Sequence, residues 1–496
     1  MTGAYATLEL RFKRLGLVNE AVAMLNWDTA AMMPEGAASA RADQLAELKV
    51  VAHEMLADPR LPDLLDDAAR DRLDDWQRAN LAEMRRLWLH ATAVPGTLVA
   101  AYSKACSECE MAWRKARPAN DYASVQPLLQ RVLDLTREVA AAKADKLGTS
   151  PYEALLDQFE PGGRVAEIDR LFDHLADRLP ALIEGALAAQ AARAAPMRPA
   201  GPFPVEAQRV AARRLMTRLG FEFDHGRLDQ SLHPFCGGTP DDVRITTRYD
   251  EADFARALMG VLHETGHALY ERGLPAAWRH QPVGEARGMS IHESQSLLIE
   301  MQVCRSREFL EFAAPVLRDC FGGSGPAWTA ENLYRLGTRV ARSLVRVDAD
   351  EVTYPAHVIL RYRLERALIA SELELADLPD AWAEGMELLL AVAPPDDRHG
   401  CLQDIHWYDG AWGYFPTYTL GAMTAAQLYD AAQRAEPAIP GAIARGDFAP
   451  LLTWLRANVH GLGSRFSARE ILVRATGKPL DAAIFEAHLR VRYLAA

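Results

Sequence analysis

The residues with the clearest chemical potential lie in GVLHETGHALYERG at 260–273 and GMSIHESQS at 288–296. His263 and His267 stand four positions apart in a window whose apolar residues Leu258, Val261, Leu262, Ala268 and Leu269 predict a helix, so both imidazoles share one face about a turn apart. Such a pair can hold a divalent metal. Glu264 follows the first histidine directly, which puts a carboxylate beside the metal's open position, where it can take a proton from bound water. A third ligand is needed, and Glu293 in HESQ is the nearest strong offer downstream of His267. Ser290-Ile-His-Glu293 is also a capping-box pattern, in which the glutamate would satisfy only a backbone N–H. Glu285 and His292 compete with Glu293 on spacing alone.

These residues need a rigid frame, and the pattern of the chain supplies one. Asp250, Glu251 and Asp253 in the expected first turn, and Gly273 followed by Pro275 at the end, bound the metal helix. Helical periodicity dominates the first 200 residues: Leu73, Trp76, Leu81, Met84 and Leu87 form one stripe, Leu128, Val132, Leu135 and Val139 another, and Val165, Ile168, Phe172, Leu175 and Leu179 a third. NWDTAAMMPEG at 26–36 interrupts the pattern with Pro34 and Gly36, so residues 1–90 read as a helical cap joined by a turn. The Ala-rich stretch 184–200, which runs into MRPAGPFP, reads as an internal joint. Strand signals gather just before the metal helix, where Val243, Ile245 and Thr247 alternate with Arg244, Thr246 and Arg248; an edge strand with arginines on its wet face is the expectation. The segment 400–421 is too rich in glycine and aromatics for a helix, and its His406, Tyr414 and Tyr418 suit the wall of a site that stabilises an oxyanion.

Composition narrows the function. A net charge of −12 with both signs interspersed argues against nucleic-acid or anionic-membrane partners, which need a basic face. The 496 residues, 49% of them hydrophobic, are enough for a large core, and no long polar linker announces a domain boundary. Residues 1–25 lack the basic start and apolar run of a signal peptide, and no stretch approaches the roughly 20 apolar residues of a membrane span. A cytoplasmic protein is expected. Six scattered cysteines agree with a reducing compartment, and Cys106 and Cys109 read as buried thiols on a helix.

HPF at 233–235, DVRIT at 242–246, HETGH at 263–267, HESQ at 292–295, VRVDAD at 345–350 and GCLQDIHW at 400–407 occur in the order and at roughly the distances of the motifs of the carboxypeptidase Taq family of metallocarboxypeptidases. With NWDTAAMMPEG and GYFPTYTLG, the resemblance covers nearly the whole chain. It implies a mainly α fold: residues 1–496 as a single helical catalytic chain split by a deep groove, with a short β-sheet at its rim, similar to neurolysin-like and angiotensin-converting-enzyme-like peptidases. By the same resemblance His263, His267 and Glu293 match the metal ligands and Glu264 the general base. His406 and Tyr418 resemble the oxyanion-stabilising pair of related helical peptidases. Arg346 resembles a binder of the substrate's free carboxylate, although the residues alone favour an ion pair with Asp348 or Asp350. Arg244 and His233, from the DVRIT and HPF motifs, are further substrate-binding candidates. Val345 replaces the usual isoleucine, and Leu297, Ile299 and Met301 replace more polar or aromatic residues behind the site.

The implied activity is metal-dependent release of single C-terminal amino acids, with broad specificity, from peptides with a free C-terminus. The implied cofactor is one divalent metal per subunit, zinc first, with cobalt or manganese as alternatives, and the implied assembly is a homodimer. Two other readings stand beside it: an oligopeptidase or dipeptidyl carboxypeptidase of the same fold, and a non-catalytic helical metal-binding scaffold.

Overall fold

Helices make up most of the computed structural model, which describes residues 3–494. The first, Ala4–Ala31, runs through Asn26 and Trp27 without interruption and ends just before Pro34. The break expected over 26–36 is therefore confined to its last residues. Nothing before Met33 opposes a helix, whereas Pro34 pushes the residue before it out of the α region. Helices Ala38–Leu56 and Leu61–Ala68 pack on this one, and Asp75–Thr92, started by a capping box between Asp74 and Gln77, packs on those two. Together they enclose a small core of Tyr5, Leu8, Phe12, Leu15, Leu61, Leu65, Leu81 and Met84, separate from the main one. Asn80, fully buried, ties this unit to the rest: its amide donates to the Tyr5 hydroxyl and to Gln281 Oε1, each at 3.0 Å, and its carbonyl accepts from the Val283 N–H at 3.2 Å.

The main core takes Val132 and Leu135 from helix Tyr122–Leu147, and Ile168, Phe172, Leu175 and Leu179 from helix Val165–Ala191. The latter helix continues through the first half of the stretch expected to be a joint, because its alanines favour helix. Only 192–204 is irregular. Cys106 and Cys109 are buried on helix Gly96–Ala119, and all six cysteines are free. Among the described residues no helix is long and apolar enough to cross a membrane.

Three short strands, β1 (Gly226–Gln230), β2 (Phe235–Thr239) and β3 (Asp242–Thr247), form a sheet of order β1-β3-β2. β1 is parallel and β2 antiparallel to β3, with Ile245 opposite both Leu228 and Cys236. β3 is thus the central strand and not the expected edge. Val243, Ile245, Thr246 and Thr247 are all buried, and the strand packs against the metal helix. Hydrogen-bonded on both sides, it has no free ladder to offer a substrate; β1 and β2 hold the open edges.

Candidate active site

The metal helix spans Phe254–Gly273, with Asp253 as its N-cap accepting from the Ala255 N–H at 2.9 Å. A second helix, Gly288–Leu297, crosses it where a Cβ on Gly266 would meet the Gln295 carbonyl oxygen at 2.5 Å and the Ser296 Cα at 2.6 Å. Only a glycine lets the two backbones approach so closely. A third helix, Pro416–Ala435, presses on Glu293 at Gly421, where a Cβ would lie 2.8 Å from that of Glu293. Glu293 is thereby held between two helices and turned toward the histidine pair.

The three candidate ligands converge. Glu293 Oε2 lies 3.4 Å from His267 Nε2 and 3.9 Å from His263 Nε2, and one donor atom from each of the three side chains falls within 4.8 Å of the others. The capping-box alternative fails on geometry, because Ser290 is the third residue inside its helix and its N–H donates to Glu160 Oε2 at 3.1 Å. Neither Glu285 nor His292 joins the three-donor group.

His292 instead stands behind it. His267 and His292 meet through their Nδ1 atoms at 2.7 Å, and His292 Nε2 lies 2.8 Å from Glu271 Oε1. With the His292 Nε2–H donating to Glu271, His292 Nδ1 is left to accept from His267. On the other side, His263 Nδ1–H donates to Glu300 Oε2 at 3.0 Å, and Arg305 holds the second Glu300 oxygen at 2.7 Å. Both histidines therefore have Nδ1 engaged and Nε2 facing Glu293, the arrangement by which outer partners orient metal-binding imidazoles. Glu300 sits on a π-helical turn, Leu298–Val303, of the kind often found at functional sites. It was missed in the sequence, although its spacing of seven from Glu293 returns it to nearly the same helical face. Leu297, Ile299 and Met301 pack behind the site, all buried.

The electrostatics of the group follow from burial and from the charges its members impose on one another. Burial, and after it the neighbouring His292, push His267 down to about 4. Burial also opposes a charged His263, yet the surrounding Glu293, Glu300 and Glu264 hold it up at about 10. Glu293 is kept ionised down to about 2 because the two histidines outweigh its burial. Glu264 is itself buried and is raised to about 7 by the loss of solvent.

An aromatic wall faces these groups. Residues 400–415 are irregular as expected, but Pro416 opens a helix at N1, so Tyr418 lies in a helical first turn and not on the loop. His406 Nε2 and the Tyr418 hydroxyl are 3.0 Å apart. Burial and nearby Arg346 lower His406 to about 3, while burial raises Tyr418 to about 12, so both are neutral at pH 7. The charge of Glu293 acts on Tyr418, Tyr414 and Tyr354, which puts all three phenols in the field of the metal site.

Arg346 is buried 4.7 Å over the Tyr418 ring, and its ion-pair partner is neither Asp348 nor Asp350. Asp348 pairs with Arg256, and Asp350 accepts from the N–H groups of Ala341, Val352 and Thr353. Arg346 donates from Nε and Nη2 to Asp404 Oδ1 at 3.1 and 2.7 Å, and Arg361 Nε reaches Asp404 Oδ2 at 2.5 Å. One carboxylate thus answers two guanidinium groups. Arg244 is engaged on the sheet, paired with Asp242 at 2.6 Å and lying 4.5 Å over the Trp27 ring. His233 is exposed, and its backbone carbonyl accepts from the Ser231 and Thr246 hydroxyls.

The profile of carboxypeptidase Taq (M32) metallopeptidases matches residues 7–493. The chain belongs to the M32 family. Similar proteins include thermostable carboxypeptidase 1 of Thermus thermophilus, 40% identical over 491 residues that cover 95% of each chain, and carboxypeptidase 1 of Bacillus subtilis, 32% identical and covering 97% of this chain and 96% of that protein. Among solved structures, Trypanosoma cruzi metallocarboxypeptidase 1 superposes with a TM-score of 0.97 at 39% identity over 99% of each chain. Pyrococcus furiosus carboxypeptidase does so with 0.94 at 32%, covering 100% of this chain and 99% of that one. As an M32 member the chain is a metal-dependent carboxypeptidase, and the mainly helical fold with one small sheet is the family's.

Proposed function

We propose that this M32 chain removes single residues from the free C-terminus of peptides, at one zinc ion held by His263, His267 and Glu293. The observation that carries this reading is the convergence of the two Nε2 atoms on one Glu293 oxygen, with both Nδ1 atoms already engaged. Two imidazoles and one carboxylate suit zinc with an open position, and cobalt or manganese fit the same donors. The chemistry a divalent metal supplies to such a set is polarisation of the scissile carbonyl and acidification of a water.

The protein's own groups do the rest. Glu264, lifted to about 7, is poised to take a proton from water and return it to the leaving amine near neutral pH. With the neutral His406 donating from Nε2–H to the Tyr418 hydroxyl, the Tyr418 O–H is left as the donor to the developing oxyanion and His406 orients it. Arg346 would register the terminal carboxylate, since Asp404 cancels only one of the two buried guanidinium charges around it. On the sheet side the exposed His233 is the better substrate contact, because Arg244 is committed to Asp242 and Trp27. We further read the protein as a cytoplasmic homodimer, a reading supported by the family resemblance and by the six free cysteines.

The test is to incubate the protein with a short peptide as free acid and as C-terminal amide, with chelator and with zinc, cobalt or manganese added back, and to weigh the products. Stepwise loss of single residues from the free acid alone, stopped by chelator and restored best by zinc, is expected. Internal fragments from both peptides would favour an oligopeptidase. No product under any metal would favour the scaffold.

A further inference from the structure

The irregular stretch 192–204 plays no part in the site described above, yet it walls two adjoining hollows. The larger, about 630 Å³, is lined by Arg193, Arg198, Arg335, Arg339 and Arg492 and by no aspartate or glutamate. The smaller, about 240 Å³, is mainly apolar, with Phe203, Phe254, Leu310 and Leu317 on its walls. Arg198, Leu336 and Arg339 belong to both and mark where the hollows meet. In a chain of net charge −12 such a basic concentration is out of character.

Most of the surrounding polar groups are already engaged. Arg492 is held by Glu351 at 3.0 Å, Arg335 donates to the Ala194 carbonyl, and Arg305 at the base of the apolar hollow is held by Glu300. Asp253, the one acidic residue lining the smaller hollow, caps the metal helix. Arg198 and Arg339, both exposed at the shared wall, have no carboxylate within ion-pair distance among the described residues. They present two guanidinium groups next to an apolar recess.

We propose that this double hollow binds an amphipathic carboxylate of medium chain length, its head between Arg198 and Arg339 and its chain against Phe203, Phe254, Leu310 and Leu317. A guanidinium matches a planar carboxylate with two parallel donors, and the recess removes a hydrocarbon chain from water. A nucleotide fits less well, because its polar base would enter a recess whose Asp253 and Arg305 are already committed. None of the residues proposed for metal, catalysis or substrate lines either hollow.

The proposal is tested by calorimetric titration of the metal-loaded, full-length protein with decanoate below its micelle concentration, beside decanol and decyltrimethylammonium. One decanoate per chain is expected, with the neutral and cationic analogues about tenfold or more weaker, because a charge-assisted hydrogen bond is lost. The double variant Arg198→Ser/Arg339→Ser should lose affinity by a similar factor, and so should Leu336→Glu, which sets a carboxylate at the shared wall by a different route. Peptide cleavage should be unchanged in both. Equal affinity for decanol, unchanged binding in both variants, or displacement of decanoate by a free amino-acid product, which would put it in the active site, would overturn the proposal.

Discussion

Glu264 and Glu293 are both buried glutamates that feel the charge of His263, and what separates them is environment. Glu293 is held ionised by His263 and His267, whereas Glu264 is raised to about 7 by burial. Glu264→Gln is therefore expected to retain full metal stoichiometry and lose turnover by about two orders of magnitude or more, since an amide cannot accept the proton; loss of metal would make Glu264 a ligand. Glu293→Ala should lower occupancy sharply, while His292→Ala, which removes only the partner of His267 Nδ1, should weaken metal affinity by roughly 10- to 100-fold. Equal effects of the two changes in a metal-competition titration would contradict the division between ligand and outer partner. His263, held at about 10, carries a proton at pH 7 in the apoprotein, and Nε2 must shed it to coordinate. Metal affinity should accordingly rise by about tenfold per pH unit between pH 7 and 9, with proton release on binding. A flat profile against a chelating dye would show that His263 is neutral before the metal arrives.

At the scale of elements, Glu365 on helix Tyr354–Ile369 fastens the segment that carries His406. It accepts from the Trp407 indole N–H at 2.8 Å, the Gly413 N–H at 2.9 Å and the Tyr152 hydroxyl at 2.7 Å, and it meets no cation among the described residues. Burial raises it to about 7. An acid whose folded value lies above its unfolded one binds more protons in the folded state, so its contribution to stability is complete below about pH 4.5 and declines as pH rises toward 7. The protein should lose up to roughly 3 kcal/mol across that window through this group, at about 1.36 kcal/mol for each pH unit that separates its folded and unfolded values. Glu365→Gln should remove this group's share of the slope in urea melts taken at pH 4.5, 5.5, 6.5 and 7.5, leaving the share of Glu264, Glu285 and Asp409, which burial also raises. Parallel curves for the two proteins would mean that Glu365 is not the titrating group.

For the molecule as a whole, Asn80 is one of several ties between the N-terminal helices and the main body, beside Gln281 on the Glu9 carbonyl and Arg287 on Glu83, and it makes three hydrogen bonds at that boundary. Removing it orphans the buried Val283 N–H and the Gln281 side-chain carbonyl, each worth about 1–3 kcal/mol when left unpaired. Asn80→Ala is expected to destabilise the chain by roughly 2–5 kcal/mol and to expose residues near 280 to hydrogen exchange before the metal helix opens. Uniform exchange across the protein would show that the N-terminal helices do not loosen separately.

The sequence by itself determined what depends on local spacing. His263 and His267 fall on one helical face because a helix repeats every 3.6 residues, with Glu264 at the side of that face, and Asp253 and Gly273 mark its ends by backbone chemistry that acts within a turn. The motif order added Glu293, His406 and Tyr418 by resemblance, without saying how they meet. Their meeting depends on contacts between distant segments: Gly266 against Ser296, Gly421 against Glu293, Glu365 against Trp407 and Gly413. The same holds where expectation and structure part. Arg346 found Asp404, 58 positions away, and not its neighbours in VRVDAD, and β3 became central because β1 and β2 close on it from either side. Spacing along one element is set by the repeat of its own backbone, but a partner across the fold is chosen by packing and by the cancellation of buried charge, and neither is a property of any short stretch of chain.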